Sequence, residues 1–364
     1  MDLWRWWSVC SFPGDMVEEA IEDFRLEILD FGLHINRKFG SRGLAMTYRT
    51  KILPVLILGL SLFFGLSSKA AALDKVTCML DWFPNPDHAP VYVAKARGFF
   101  EEQGLDVDIM VPADPNDPLK LVAAGKINFA ISYQASVITA HSAGLQVVSI
   151  GALVQHPLSS ILYLKSSGFK TPADLKGKRI GYSVEPLYRV LFEAVAEGAG
   201  LQTSDYDIYR VGFNLAPALL SGNVDAVVGA FRNYEAIQIE LEGKEVGIFP
   251  LEEHGVPDFY ELVIITHSKE IETHPERVKA FMRGLTRGIH QTVSDPKASL
   301  ETFLKLHPNL RDELNRRAFQ ATLPFFMGSP KQEPSRWVEM QNFMLDRGLI
   351  KRVAPVEEMI WMGK

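Results

Sequence analysis

KVTCMLDWFPNPDHAPVYVAKARGFFEEQGLDVDIMV, residues 75–111, sets the pattern that the rest of the chain repeats. The apolar run at 75–80 reads as a strand, and the proline-rich stretch 82–88 as a loop. Pro90 suits the first turn of a helix, which runs on to Gln103 and stops at Gly104. A second strand follows at 107–111. Strand, loop, helix and strand in close succession are the building unit of an α/β fold.

Downstream the alternation continues. A helix at 118–124 is closed by Gly125, a strand follows at 127–131, and a helix at 134–142 is closed by Gly144. Strands at 147–154 and 160–165 come next. A second block then runs through the same succession, with a short helical turn at 172–175, a strand at 179–182, and a helix at 187–197 ended by Gly198 and Gly200. Segments 206–211, 215–220, 226–229 and 234–241 alternate strand with helix, and a strand at 261–266 precedes a mostly helical stretch from Pro275 to Arg347. The pattern predicts two similar lobes, 73–165 with 260–364 as lobe 1 and 166–259 as lobe 2. Two crossings between lobes, near Lys165 and near 259–262, make a hinge over an interlobe cleft, the usual place for a small ligand.

Upstream lies a segment of a different kind. Arg49 and Lys51 precede an uncharged apolar run at 52–66, and Ser67, Ser68 and Lys69 lead into Ala70, Ala71 and Ala72. A basic entry, an apolar run short for a bilayer and a small-residue exit predict a signal peptide at 46–72, cleaved near Ala72, and a periplasmic product. The competing reading is a membrane anchor or a buried helix. Residues 1–45, with Trp4, Trp6 and Trp7, form an extension to which no function is given; Met46 opens a normal signal peptide and is the expected translation start.

Composition narrows the function. Hydrophobic residues make up 47% and charged residues 23%, as in an ordinary globular protein. A formal net charge of −6 without a basic cluster argues against a nucleic-acid partner. Cys10 and Cys78 are the two cysteines, too few for a disulfide framework or a cysteine-based zinc site. No G-x-S-x-G elbow, P-loop or G-x-G-x-x-G occurs, and His88 lacks the spacing of a metal motif. Neither a catalytic group, a cofactor nor a metal is expected.

In open α/β sheets, ligands bind at loops after the carboxyl ends of strands. Those loops here are 82–88, 132–134, 155–159, 183–188, 231–235 and 258–260. They carry Trp82, Phe83, Tyr133, Tyr188, Phe231, Tyr234, Phe259 and Tyr260, together with Asp87, Glu185, Glu235 and Glu261. Aromatic faces plus carboxylates suit a flat, nitrogen-rich ligand that stacks on the rings and donates hydrogen bonds to the acids. Arg189 and Arg232 keep an anionic ligand open. Each residue has a plainer alternative: Trp82 and Phe83 as core packing, Asp87 as a helix cap, His88 as a surface or cap histidine, Glu235 as a complement to a helix dipole.

Residues 80–88 (LDWFPNPDH) and 98–107 (GFFEEQGLDV) resemble the opening of proteins that handle the pyrimidine precursor of thiamine. Residues 162–168 (LYLKSSG), 175–182 (LKGKRIGY) and 256–263 (VPDFYELV) continue the likeness. That family contains importer-associated binding proteins for hydroxymethylpyrimidine or formylaminopyrimidine and the pyrimidine-phosphate synthases. The resemblance implies a two-lobed periplasmic-binding-protein fold of type 2. It implies ligand contacts from Trp82, Tyr188, Tyr234 and Glu235, and with less support from Asp87, His88, Glu185 and Tyr260; the loop reading adds Tyr133 as a candidate contact. The synthases use a lysine and a histidine of their own chain with pyridoxal phosphate; Ser132 and Ser136 stand at those positions here, and 257–261 lacks the synthases' cysteines. The resemblance therefore implies a monomeric, non-enzymatic solute-binding protein serving an ABC permease and its ATPase. The alternatives are a synthase, or a binder of a sulfonate, a nitrile-type compound or a riboflavin-like heterocycle.

Overall fold

The computed structural model describes residues 72–363. The expected extension and the expected signal peptide, but for Ala72, lie outside the described residues.

The chain forms strand β1 (Asp74–Met79), helix α1 (Ala89–Ala96), strand β2 (Leu105–Met110), helix α2 (Asp117–Ala123), strand β3 (Phe129–Ser132), helix α3 (Gln134–Ser142) and strand β4 (Val147–Val154). Next come β5 (Ser159–Leu164), β6 (Arg179–Tyr182), α4 (Leu187–Gly198), β7 (Asp207–Arg210), α5 (Leu215–Leu220), β8 (Ala226–Phe231), α6 (Glu235–Leu241) and β9 (Val246–Pro250). Strand β10 (Leu262–His267) leads into helices α7 (Ser268–Thr273), α8 (Pro275–Ser294), α9 (Pro296–Leu306), α10 (Glu313–Thr322), α11 (Pro334–Asp346) and α12 (Val356–Met359).

Two five-stranded sheets result, ordered β2-β1-β3-β10-β4 and β7-β6-β8-β5-β9. Their plans are identical. In each, the first three strands pair in parallel and the fourth joins antiparallel to both its neighbours. That fourth strand, β10 in one sheet and β5 in the other, immediately follows a passage of the chain between sheets. The strand at 160–165 was expected to close lobe 1. Instead β5 pairs with β8 and β9, so the first crossing lies at 155–158 rather than near Lys165. The strand itself was legible, but its sheet was not, because strand periodicity is the same whichever partner it finds.

Two other elements depart from expectation. The helix predicted to reach Gln103 ends at Ala96, since Gly98 takes φ +71° and turns the chain; residues Glu101–Gln103 form a separate 3-10 turn. Strand β9 was not foreseen. Its Gly247 leaves room for the Tyr163 ring, since a Cβ there would lie 2.2 Å from Tyr163 Cζ.

The first sheet is covered by α8, whose Val278, Phe281, Leu285 and Ile289 are fully buried. Phe281 stacks on Phe100 at 5.1 Å and on Phe129 at 4.1 Å between ring centroids. Burying these rings contributes about 1.5–3 kcal/mol each, and it fixes the sheet whose carboxyl edge carries the loop 81–88.

Candidate binding pocket

The loop after β1 is built by Asn85. Its side chain accepts from Asp87 N at 2.8 Å, Pro86 occupies the first helical position, and the chain turns once in 3-10 geometry through His88. Asn85, not Asp87, is thus the cap, which frees the Asp87 carboxylate. His88 is wholly buried beneath the loop: Asn85 N donates to its Nδ1 at 3.3 Å, so Nε2 carries the proton and donates to Asp81 Oδ1 at 2.9 Å. Tyr133 donates its hydroxyl to the other oxygen, Asp81 Oδ2, at 2.9 Å. His88 and Tyr133 together hold one carboxylate in place.

Asp81, Trp82, Asn85, Asp87 and Tyr133 from this side face Ser183, Leu215, Gly229, Phe231, Tyr234 and Glu235 from the strands, loops and helices of the second half. They line a small pocket that is partly open to solvent. Trp82 lies edge-on to Phe213 at 4.5 Å, and Phe83 bridges to Tyr234 at 6.0 Å. Three carboxylates line the pocket and, among the described residues, no lysine or arginine does. Burial drives Asp87 up to about 6 and Glu235 up to about 8, the latter despite hydrogen bonds to its carboxylate from backbone N–H groups, among them Phe231 N at 2.8 Å. Three polar atoms of the pocket's lining residues, Trp82 Nε1, Asp87 Oδ2 and Ser183 Oγ, are buried without a hydrogen-bond partner among the described residues. Unpaired buried polar atoms are costly, and three around one cavity mark where a ligand's donors and acceptors would be satisfied.

Of the residues expected at the site, the structure brings Trp82, Asp87, Tyr133, Tyr234 and Glu235 to this pocket. His88 stands behind it. Tyr188 lies under Gly229, where a Cβ would come 2.3 Å from the tyrosine ring, and donates its hydroxyl to Glu261 at 3.1 Å. Glu185 is exposed on a neighbouring cavity with Asn116, Lys120, Ser132 and Ser136, and accepts from the Tyr182 hydroxyl. Tyr260 is not brought to the pocket at all. It is 1% exposed, its N–H bound to Gln134 Oε1 at 2.7 Å and its ring covered by Arg336 at 3.9 Å. Its place on a crossing segment, not a strand end, turns it into the helical layer. Sequence reasoning passed over Asp81, Asn85, Ser183 and Gly229; Ser183 directly follows β6 and Asp81 comes two residues after β1, which was the available signal.

Glu261 ties the crossings together. Its carboxylate accepts from Leu158 N and Ser159 N, both at 2.7 Å, and from Ser159 Oγ at 2.6 Å, joining the outgoing segment to the returning one.

Comparison with known proteins places the chain. The alkanesulfonate-binding protein of Xanthomonas axonopodis superposes with a TM-score of 0.63 at 18% identity, covering 80% of this chain and 99% of that one. A Candida albicans gene product described as having the generic periplasmic binding protein structural fold gives 0.63 at 14% identity, covering 79% and 96%. The fold is thus that of the periplasmic binding proteins. In sequence, a Haemophilus influenzae protein named for thiamine biosynthesis is 39% identical over 290 residues, 79% of this chain and 91% of the relative. The formylaminopyrimidine-binding protein of Halalkalibacterium halodurans is 39% identical over 238 residues, 65% and 72%. The 4-amino-5-hydroxymethyl-2-methylpyrimidine phosphate synthase of Schizosaccharomyces pombe is 28% identical over 290 residues, 76% and 82%. A family model described as NMT1/THI5 like matches residues 85–299, and with relatives of this similarity along most of its length the chain belongs to that family.

Proposed function

We propose that this chain is the extracytoplasmic solute-binding component of an ABC importer, and that it captures an amino-substituted pyrimidine of the thiamine-precursor type. The observation that carries the ligand class is the lining of the pocket: aromatic side chains and three carboxylates, with no cationic side chain among the described residues. A sulfonate or phosphate would face Asp81, Asp87 and Glu235 without a counter-charge among the described residues, where burial already disfavours ionisation of Asp87 and Glu235. An aminopyrimidine instead presents N–H donors to carboxylate oxygens, ring nitrogens to Trp82 Nε1 or a protonated Glu235, and a flat face to the aromatic rings. Trp82, Asp87 and Glu235 would contact the ligand directly, Tyr133 and Tyr234 would border it, and His88 would orient Asp81. The relative named for formylaminopyrimidine binding supports the same reading. Closure follows from the pocket being shared by the two sheets, since a ligand touching both favours the closed arrangement by its differential affinity.

Calorimetric titration tests this. Hydroxymethyl- or formylaminopyrimidine is expected to bind and taurine to give no heat; binding of taurine alone would sink the proposal. One observation favours the synthase reading, namely Lys120 on the neighbouring cavity beside Ser132 and Ser136. Incubation with pyridoxal phosphate is expected to produce no aldimine absorbance. A band abolished by Lys120→Ala would establish the enzymatic alternative.

A further inference from the structure

Asn233 lies in the β8–α6 loop, between the pocket residues Phe231 and Tyr234, yet it does not line the pocket. It is 3% exposed, and its side-chain amide crosses to the other half of the molecule. There Asn233 Nδ2 is 2.7 Å from Asp87 Oδ1 and 2.7 Å from Thr322 Oγ1, at the end of α10. Thr322 Oγ1 is in turn 2.8 Å from the same Asp87 oxygen. Two buried side chains, from the β8–α6 loop and from the end of α10, thus converge on one oxygen of Asp87. The other oxygen, Oδ2, has no partner among the described residues and belongs to a pocket residue.

We infer that Asn233 is a positioning residue that couples closure to binding through Asp87. One oxygen of that carboxylate is read by the second half of the molecule, the other by the ligand. When the halves separate, Asn233 withdraws and Asp87 loses a donor, so its charge is less well compensated and its carboxylate less well aimed. When they close, the amide fixes the carboxylate rotamer and Oδ2 is presented to the pocket. A buried amide-to-carboxylate bond is among the stronger neutral–charged contacts, and breaking it leaves a desolvated acceptor behind. The lock therefore stabilises the closed form by itself and stabilises it further when the ligand binds. The second half of this inference rests on the aminopyrimidine reading; the first does not.

Two measurements separate them. Small-angle scattering of the ligand-free protein compares wild type with Asn233→Ala, where the variant is expected to stay folded, with a modestly lower melting temperature, and to show a larger radius of gyration. An identical scattering curve would overturn the lock whatever the ligand is. Stopped-flow binding of 4-amino-5-hydroxymethyl-2-methylpyrimidine then reads the coupling: dissociation is expected to accelerate about tenfold or more, with association changed less than about threefold, as for an interaction formed after encounter. Loss confined to the association rate would overturn the coupling. Absence of any binding in the wild type would refute the ligand reading and the coupling with it, leaving the scattering result to decide the lock. If Asn233→Ala fails to fold, Thr322→Val against Thr322→Ser reads the same lock, the serine being expected to retain the wild-type values and the valine to lose them. Matching curves for both would count against it.

Discussion

At Trp82 the packing role and the binding role meet in one side chain, and they separate by atom. Its ring is 7% exposed and edges onto Phe213, so truncation to alanine is expected to cost several kcal/mol of stability and to say little about the ligand. Its Nε1 is buried without a partner among the described residues. Trp82→Phe keeps most of the packing and removes that donor; aminopyrimidine affinity is expected to fall about tenfold, one net hydrogen bond, with a nearly unchanged melting temperature. A calorimetric affinity equal to wild type would return Trp82 to the core alone. Glu235 offers a pH signature. Its folded pKa, raised to about 8 from an ordinary value of 4.5, means the folded state holds a proton that the unfolded chain releases. Its contribution to stability is therefore fully present below 4.5 and declines as pH rises toward 8. Glu235→Gln, which cannot ionise, is expected to gain in melting temperature relative to wild type between about pH 5 and 8, and a difference that is flat across this range would contradict the burial argument. The sequence showed the acids and rings as a group but not which atoms were free: Asp87 read equally well as a cap until Asn85 was found making that bond.

Strand β8 shows how an element is shaped to reach the site. Ser160 pairs with Ala230 and Ile161 with Val228, so Gly229 is an extra residue, a bulge at φ +80°. It allows the Tyr188 ring to close beneath the pocket. Gly229→Ala would force a Cβ to 2.3 Å from that ring in a left-handed backbone, and is expected to destabilise by about 2–4 kcal/mol. A denaturant midpoint matching wild type would show the bulge to be relaxed. Helix ends were among the most legible features. Gly125, Gly144 and Gly200 all take positive φ just past the helices they were expected to end, because only glycine adopts that conformation without a steric cost. A bulge has no such mark, since a glycine inside an apolar run looks the same whether it is paired or not.

Across the whole molecule, ion pairs on the rim join elements of the two halves: Arg210 with Asp114, Arg317 with Glu240, and Arg347 with Glu197. Each is solvent-exposed and worth roughly 0–1 kcal/mol, so together they bias closure without enforcing it. Replacing all three arginines by alanine is expected to raise the ligand-free radius of gyration, and about 1 M salt to do the same in the wild type but not in the variant. A salt response equal in both would assign the bias elsewhere. Taken by itself, the order of residues determined the α/β class, every strand but β9, the helices before β10, and the collection of aromatic and acidic side chains at strand ends. Those are consequences of local periodicity, of glycine and proline stereochemistry and of where polar residues interrupt apolar runs. Tertiary structure alone decided that β5 belongs to the second sheet, that Tyr260 turns into the helical layer, and that Asn233 reaches Asp87. Each of these depends on a partner distant in the chain, and a hydrogen bond between distant residues leaves no period in the sequence from which to read it.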